Sequence, residues 1–225
     1  MIPWSLVDTA KIPNDGGELK LSQRGGEFTI KKLGKRGGLI DSRIYNSDKV
    51  LAQVGCAHIK PHHDAHVLVA GLAMGYTLTA ALKAINSDSQ VTVSEVTPEV
   101  VEWNKGPLGQ CAGNPLQDPR THVHIGDVKQ LLSARKPTYD AILLNVSHAP
   151  KSLHPTDNHS IYSEDGLKDS YDTLGPNGML AILAVEADYL FTLRLKKIGF
   201  KVDTRNVQAG SKKGKQPTIF LARKL

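Results

Sequence analysis

Gly71, Ala73 and Gly75 follow the apolar run "HVLVA" at a spacing of two. Residues this small let a turn approach a ligand closely, and the N-terminus of the helix that follows attracts negative groups. Glu95 ends the next apolar run about twenty residues beyond Gly75, with Val96 beside it. A carboxylate at that spacing can accept hydrogen bonds from both hydroxyls of a ribose; it also reads as an exposed acid favoured by a helix dipole. Asp127 closes "THVHIG" ahead of Val128, where a carboxylate can cap a helix and accept from the exocyclic amine of a purine. Asn145 ends "YDAILLN". An amide there can hydrogen-bond, but it can neither serve as a general base near neutral pH nor neutralise an ammonium. His148 stands three residues on, and an imidazole has the pKa for proton transfer. Tyr45 and Tyr162 are candidates to face the same cleft, although each reads equally as a packing aromatic. Asn145, His148 and Tyr45 form the candidate catalytic set.

A second cluster, "HIKPHHDAH", brings His58, His62, His63 and His66 close in sequence. Zinc needs three or four ligands in a fixed geometry. Pro61 and the lead into a buried strand favour a polar connector, so no metal site is expected. Cys56 falls on the apolar face of a helical segment and reads as core.

The elements that must place these residues alternate. From residue 66 the chain runs strand, helix, strand, helix, with Thr97 as N-cap and Pro98 at the first helical position of one helix. Such alternation gives a mostly parallel sheet with helices on both faces. "FKVDTRNV" and "QPTIFLAR" are strands joined by a basic turn, "SKKGKQ", rather than by a helix; that pair must be antiparallel. In an open sheet of this class ligands bind beyond the carboxyl ends of the strands, where the candidate residues stand. Before the alternation, 18–45 has runs of period two separated by Arg24-Gly25-Gly26 and Arg36-Gly37-Gly38, which reads as an antiparallel piece of about three strands. Ser47 is the expected cap of a helix over 47–59. The expected division is a hairpin region over 1–46 and a sheet domain over 47–225.

The bulk composition narrows the class. With 40% hydrophobic and 22% charged residues, the chain has the balance of a globular domain rather than a disordered one. The net charge of +6 comes from scattered residues, and aromatics are only 5%, which argues against a nucleic-acid surface built on base stacking. Two cysteines outside any CxxC pair make neither a disulfide scaffold nor a redox motif. No secretory pattern opens the sequence and no apolar run has the length of a membrane span, so a cytoplasmic location with no membrane partner is expected.

The ordered set "HVLVAGLAMGYTLTAAL", "VTVSEVTPEVVEWN", "DPRTHVHIGDVKQLL", "YDAILLN" and "YSEDGLKDSYDTLGPNGMLAI" resembles the class I S-adenosylmethionine-dependent transferases. Within them it is most similar to the spermidine synthase-like group, and "GGLIDSRIYNSDKVLAQ" extends the likeness to the segment joining that group's N-terminal hairpins to its catalytic domain. The resemblance implies a Rossmann-like seven-stranded sheet with an antiparallel last strand. It implies S-adenosylmethionine or its decarboxylated form as cofactor, lying against Gly71 to Gly75, with Glu95 and neighbouring Val96 at the ribose, Asp127 and Val128 at the adenine, and Asn145 at the cofactor's reactive end. The hairpin region over 18–45 is too small to bury a core of its own, so it is expected to pack on the sheet domain or on a second subunit, and a homodimer is expected.

The sequence departs from that group where it matters most. Spermidine synthases carry an Asp–Ser–Ser–Asp type motif after the fourth strand, whose acids hold and deprotonate a diamine. The matching positions here are Asn145, Val146, Ser147 and His148, and the loop beyond adds Lys151, His154 and His159 against Asp157. On this ground the expected reaction is methyl transfer to a small neutral or anionic acceptor. Aminopropyl transfer from decarboxylated S-adenosylmethionine ranks second, and a non-catalytic nucleoside-binding protein third.

Overall fold

The computed structural model describes residues 2–14, 16–33, 39–59, 64–145, 160–207 and 217–225. It opens with four strands: β1 (Ser5–Ile12), β2 (Gly17–Arg24), β3 (Glu27–Lys32) and β4 (Leu39–Asp41). They form an antiparallel sheet in chain order. Three strands were expected from the sequence. The first was missed because β1 is exposed at every position except Ala10 and Ile12, so it has no alternation to read. The sheet is too small to bury a core of its own. Its apolar side chains Leu21, Phe28 and Ile30 instead join the core of the rest of the chain, and the Trp103 indole donates to Asp8 Oδ2 at 2.7 Å.

Helix α1 (Asn46–Gly55) leads into an alternating series: β5 (His66–Ala70), α2 (Tyr76–Ala84), β6 (Gln90–Glu95), α3 (Pro98–Lys105), α4 (Pro107–Cys111), β7 (Thr121–Ile125), α5 (Val128–Leu132) and β8 (Tyr139–Leu144). After these come α6 (Glu164–Thr173), β9 (Leu174–Ala184), α7 (Tyr189–Ile198), β10 (Lys201–Asn206) and β11 (Thr218–Arg223). The seven strands β5 to β11 lie in the order β10-β11-β9-β8-β5-β6-β7. All pairs among β5 to β9 are parallel. β11 inserts between β9 and β10 and is antiparallel to both, giving the antiparallel last strand expected from the sequence.

Successive residues on these strands point to opposite faces, so each face has its own core. Val67 and Val69 of β5 pack with Leu51, Ala52 and Cys56 of α1 and with the buried residues of α2 and α3. Leu68 and Ala70 pack with Leu132, Leu167, Phe191 and Leu195 of α5, α6 and α7. Cys56 is fully buried among apolar groups, which push its thiol up to about 12. Ser47 is not the cap of α1; the helix starts one residue earlier, with Tyr45 at the cap position and no side chain capping it.

Candidate functional site

The order of the large sheet reverses between β5 and β8, and an open α/β sheet binds its ligands at such a switch point. The parallel register pairs Ala70 with Leu144, so the next residue on each strand, Gly71 and Asn145, emerges side by side. Beyond them the ends of β6 and β7 carry Glu95 and, two residues past Ile125, Asp127. The strand register therefore brings together the glycine turn, Glu95, Asp127 and Asn145.

The turn from β5 into α2 is tightly specified. Gly71 has φ +86° and Gly75 φ +80°, values that disfavour any residue with a Cβ. A Cβ on Gly71 would meet nothing nearer than the Asn145 carbonyl oxygen at 3.8 Å, so the space above this residue is open. Gly75 is different: its Cβ would fall 3.0 Å from Pro115 and 3.2 Å from Asn104 Oδ1. Packing and backbone conformation require the glycine there. Ala73 adopts φ +48° despite its Cβ. Its carbonyl accepts from Asn104 Nδ2 at 2.8 Å, and Gly75 N donates to Leu72 O at 2.8 Å.

Glu95 is buried, and both its oxygens are engaged by backbone. Oε2 accepts from Leu72 N at 3.1 Å, in the glycine turn, and Oε1 accepts from Thr97 N at 3.0 Å, at the start of α3. The carboxylate thus ties two strand ends together and retains lone pairs for further donors. Val96 beside it is exposed and Val128 is buried. Asp127 caps α5, accepting from Lys129 N at 3.0 Å, the cap role expected of it.

The environment of Asn145 was not foreseen. Its Nδ2 donates to Asp48 Oδ1 at 2.6 Å and to Thr77 Oγ1 at 3.2 Å. The Thr77 hydroxyl in turn donates to Asp48 Oδ1 at 3.2 Å. Asp48 lies in the first turn of α1 and Thr77 in the first turn of α2, two helices that pack side by side over the switch point. Burial raises the Asp48 carboxyl above the usual range, against the opposing hydrogen bonds from Thr77, Ser47 and Asn145. The strand end that lost a carboxylate in sequence thus has one in hydrogen-bond contact. No sequence signal separates Asp48 from an ordinary helix-start acid, since 97 residues divide it from Asn145.

Tyr45 is placed near this cluster by its neighbours. Its ring stacks on Tyr76 with centroids 4.9 Å apart, and the Lys49 ammonium lies 4.2 Å from the ring centre. The Tyr76 hydroxyl donates to Ser42 O at 2.7 Å, and burial pushes it up to about 12. Tyr162 does not face a cleft; it is almost fully buried, edge-on to Phe191, and burial raises its phenol. His148, with Lys151, His154, Asp157 and His159, lies outside the described residues, as do His62, His63 and the basic cluster 211–216. His58 and His66 sit at the opposite, amino edge of the sheet. There the His66 Nε2 is 2.8 Å from Thr92 Oγ1 and the His58 Nε2 is 3.2 Å from Asp140 O.

Fold and strand-end geometry together define an α/β protein in which a glycine turn, Glu95, Asp127 and Asn145 converge at the switch point of a seven-stranded sheet. A family model described as the spermine/spermidine synthase domain matches residues 46–196, and the chain belongs to that family. The polyamine aminopropyltransferase of Sulfolobus acidocaldarius is 25% identical over 178 residues, covering 76% of this chain and 58% of the relative. That of Prochlorococcus marinus is 29% identical over 118 residues, covering 52% of this chain and 40% of the relative. The chain thus spans roughly half the length of these curated relatives. Among solved structures, spermidine synthase from Thermotoga maritima superposes with a TM-score of 0.67 at 17% identity, over 99% of this chain and 79% of that one. A spermidine synthase in complex with the transition state analogue AdoDATO gives 0.65 at 18% identity, with the same coverage. At that identity both attest the fold.

These relatives correct one expectation. Methyl transfer was ranked first because Asn145 and His148 stand where the resembled group has acids. The curated relatives are aminopropyltransferases, and the matched family is that of spermine and spermidine synthases. The physical reason for the error is that an acid was sought only along the strand-end loop, while the fold brings one in from α1.

Proposed function

We propose that this protein transfers an aminopropyl group from decarboxylated S-adenosylmethionine to a small amine. The observation that carries the reading is the alignment of an open glycine turn at Gly71, the anchored Glu95 carboxylate and Asp127 at the ends of three adjacent strands. In this reading the nucleoside lies over Gly71 with Ala73 and Gly75 shaping the turn. Glu95 accepts from the ribose hydroxyls with Val96 beside them, and Asp127 with Val128 holds the adenine. Asn145 and Tyr45 border the reactive end. The sulfonium supplies the leaving group, so the work left to the chain is to align donor and acceptor, to exclude water and to bring the acceptor amine to its neutral form. The exposed apolar residues Leu6 and Val7 on edge strand β1 support a homodimer, which light scattering at micromolar concentration would check.

The test is incubation of the purified protein with decarboxylated S-adenosylmethionine and a panel of mono- and diamines, followed by mass spectrometry. Formation of methylthioadenosine together with an aminopropylated amine is expected. Tight binding of methylthioadenosine without turnover of any amine would overturn the transferase reading.

A further inference from the structure

We propose that Asp48 is the carboxylate that holds the acceptor ammonium and takes its proton, with Asn145 and Thr77 as positioning residues that fix it. This rests on the transferase reading above. Attack on the sulfonium-bound carbon needs a neutral amine, so an ammonium must first give up a proton. The amide of Asn145 cannot take that proton. The carboxylate 2.6 Å from it can.

The hydrogen bonds at the cluster run one way. Asn145 Nδ2 has two hydrogens, one directed to Asp48 Oδ1 and the other to Thr77 Oγ1, and the Thr77 hydrogen also goes to Asp48 Oδ1. Oδ1 is thus anchored by two donors. The side-chain contact of Oδ2 is long, 3.4 Å from the Ser47 hydroxyl, and the Asp48 backbone N–H adds a local donor to the carboxylate. One oxygen is fixed and the other is left for a donor such as an ammonium. Thr77 is almost fully buried and Asn145 leaves the end of β8, so the cluster stands on rigid elements at the switch point. A carboxyl raised by burial is also better matched to accepting a proton than an exposed one. In the step itself, the amine nitrogen forms a bond to the carbon next to sulfur. The carbon–sulfur bond breaks with its electron pair moving to sulfur, giving a neutral thioether. The ammonium proton lost before attack resides on Asp48 and leaves to solvent.

The test uses Asp48→Asn, which keeps the shape and an acceptor for Asn145, and the exchange variant Asp48→Asn with Asn145→Asp, which moves the carboxylate across the same hydrogen bond. Turnover is measured with decarboxylated S-adenosylmethionine and either putrescine or n-butylamine, and affinity for methylthioadenosine and for each amine by calorimetry. Asp48→Asn should lower kcat by about 100-fold or more, with methylthioadenosine affinity unchanged, and the exchange should recover part of the loss. A kcat loss below about tenfold, or a parallel loss of methylthioadenosine affinity, overturns the proposal. If Asp48→Asn does not fold, the exchange variant decides: measurable amine turnover supports the proposal and none overturns it. If the unmodified protein transfers nothing, the transferase reading fails separately. Amine binding in the presence of methylthioadenosine then decides for Asp48: binding that Asp48→Asn abolishes supports it, and binding that is absent or unaffected overturns it.

Discussion

Replacing Asn145 by Asp should destabilise this protein in a pH-dependent way. The Asn145 amide donates to Asp48 Oδ1 at 2.6 Å, so the variant would place two carboxyl groups in direct contact. Two such groups share one proton rather than both ionising. Holding a proton on a carboxyl with an ordinary pKa near 4 costs about 1.4 kcal/mol for each pH unit above it, roughly 4 kcal/mol near pH 7. The carboxyl–carboxylate bond formed is worth about 1.5–3 kcal/mol, similar to the amide–carboxylate bond it replaces, so the two nearly cancel. The expected loss is then about 2–4 kcal/mol near pH 7, the lower end if the new side chain turns to solvent, and about 1 kcal/mol near pH 5. The sign follows from linkage. The folded variant raises the pair's pKa above the unfolded values, so it retains a proton that the unfolded chain releases, and the penalty grows as pH rises from about 4. Urea denaturation of both proteins at the two pH values gives the difference directly. An equal loss at both, or a variant as stable as the parent near pH 7, would refute the reasoning.

Further outcomes are expected at three other positions. Glu95→Gln should weaken methylthioadenosine binding by about 1–3 kcal/mol in calorimetry. Glu95→Gln also loses one of the two backbone acceptors, because its Nε2 cannot accept. Glu95→Ala loses both, so it should lower stability by about 2–4 kcal/mol and leave the Leu72 and Thr97 amides, both in buried residues, without their acceptor. Ala73→Gly should be neutral to stabilising by up to about 1 kcal/mol, since relief of the strain at φ +48° outweighs or balances glycine's extra freedom when unfolded; a clear fall in melting temperature would contradict strain at this turn. Gly55→Ala should destabilise by about 1–3 kcal/mol, because the new Cβ would fall 2.5 Å from Leu143 Cδ2 and 3.0 Å from Ala181 Cβ, forcing α1 and Asp48 away from the sheet. Its amine turnover should drop with its stability, which activity measured at reduced temperature would separate.

The sequence by itself determined the class of fold. Apolar runs such as "HVLVA" and "YDAILL" bounded by turn residues mark buried strands, and their alternation with helical periodicity forces a parallel sheet with helices on both faces. Gly71, Glu95 and Asp127 were legible because each stands at the end of such a run, and strand ends in this architecture converge. β1 was not legible, because its stabilisation comes from backbone pairing with β2 and not from a buried face. Gly75 had a reason the sequence could not give, since Pro115 and Asn104 reach it only in the folded chain. The largest gap was Asp48. Whether an amide at Asn145 meant that amine chemistry had been lost depended on what lay beside it, and the partner came from a helix almost a hundred residues earlier. Periodicity is a local property and reports which face of an element is buried. Contact between α1 and the end of β8 is set by how two layers pack, and only the tertiary structure could decide it.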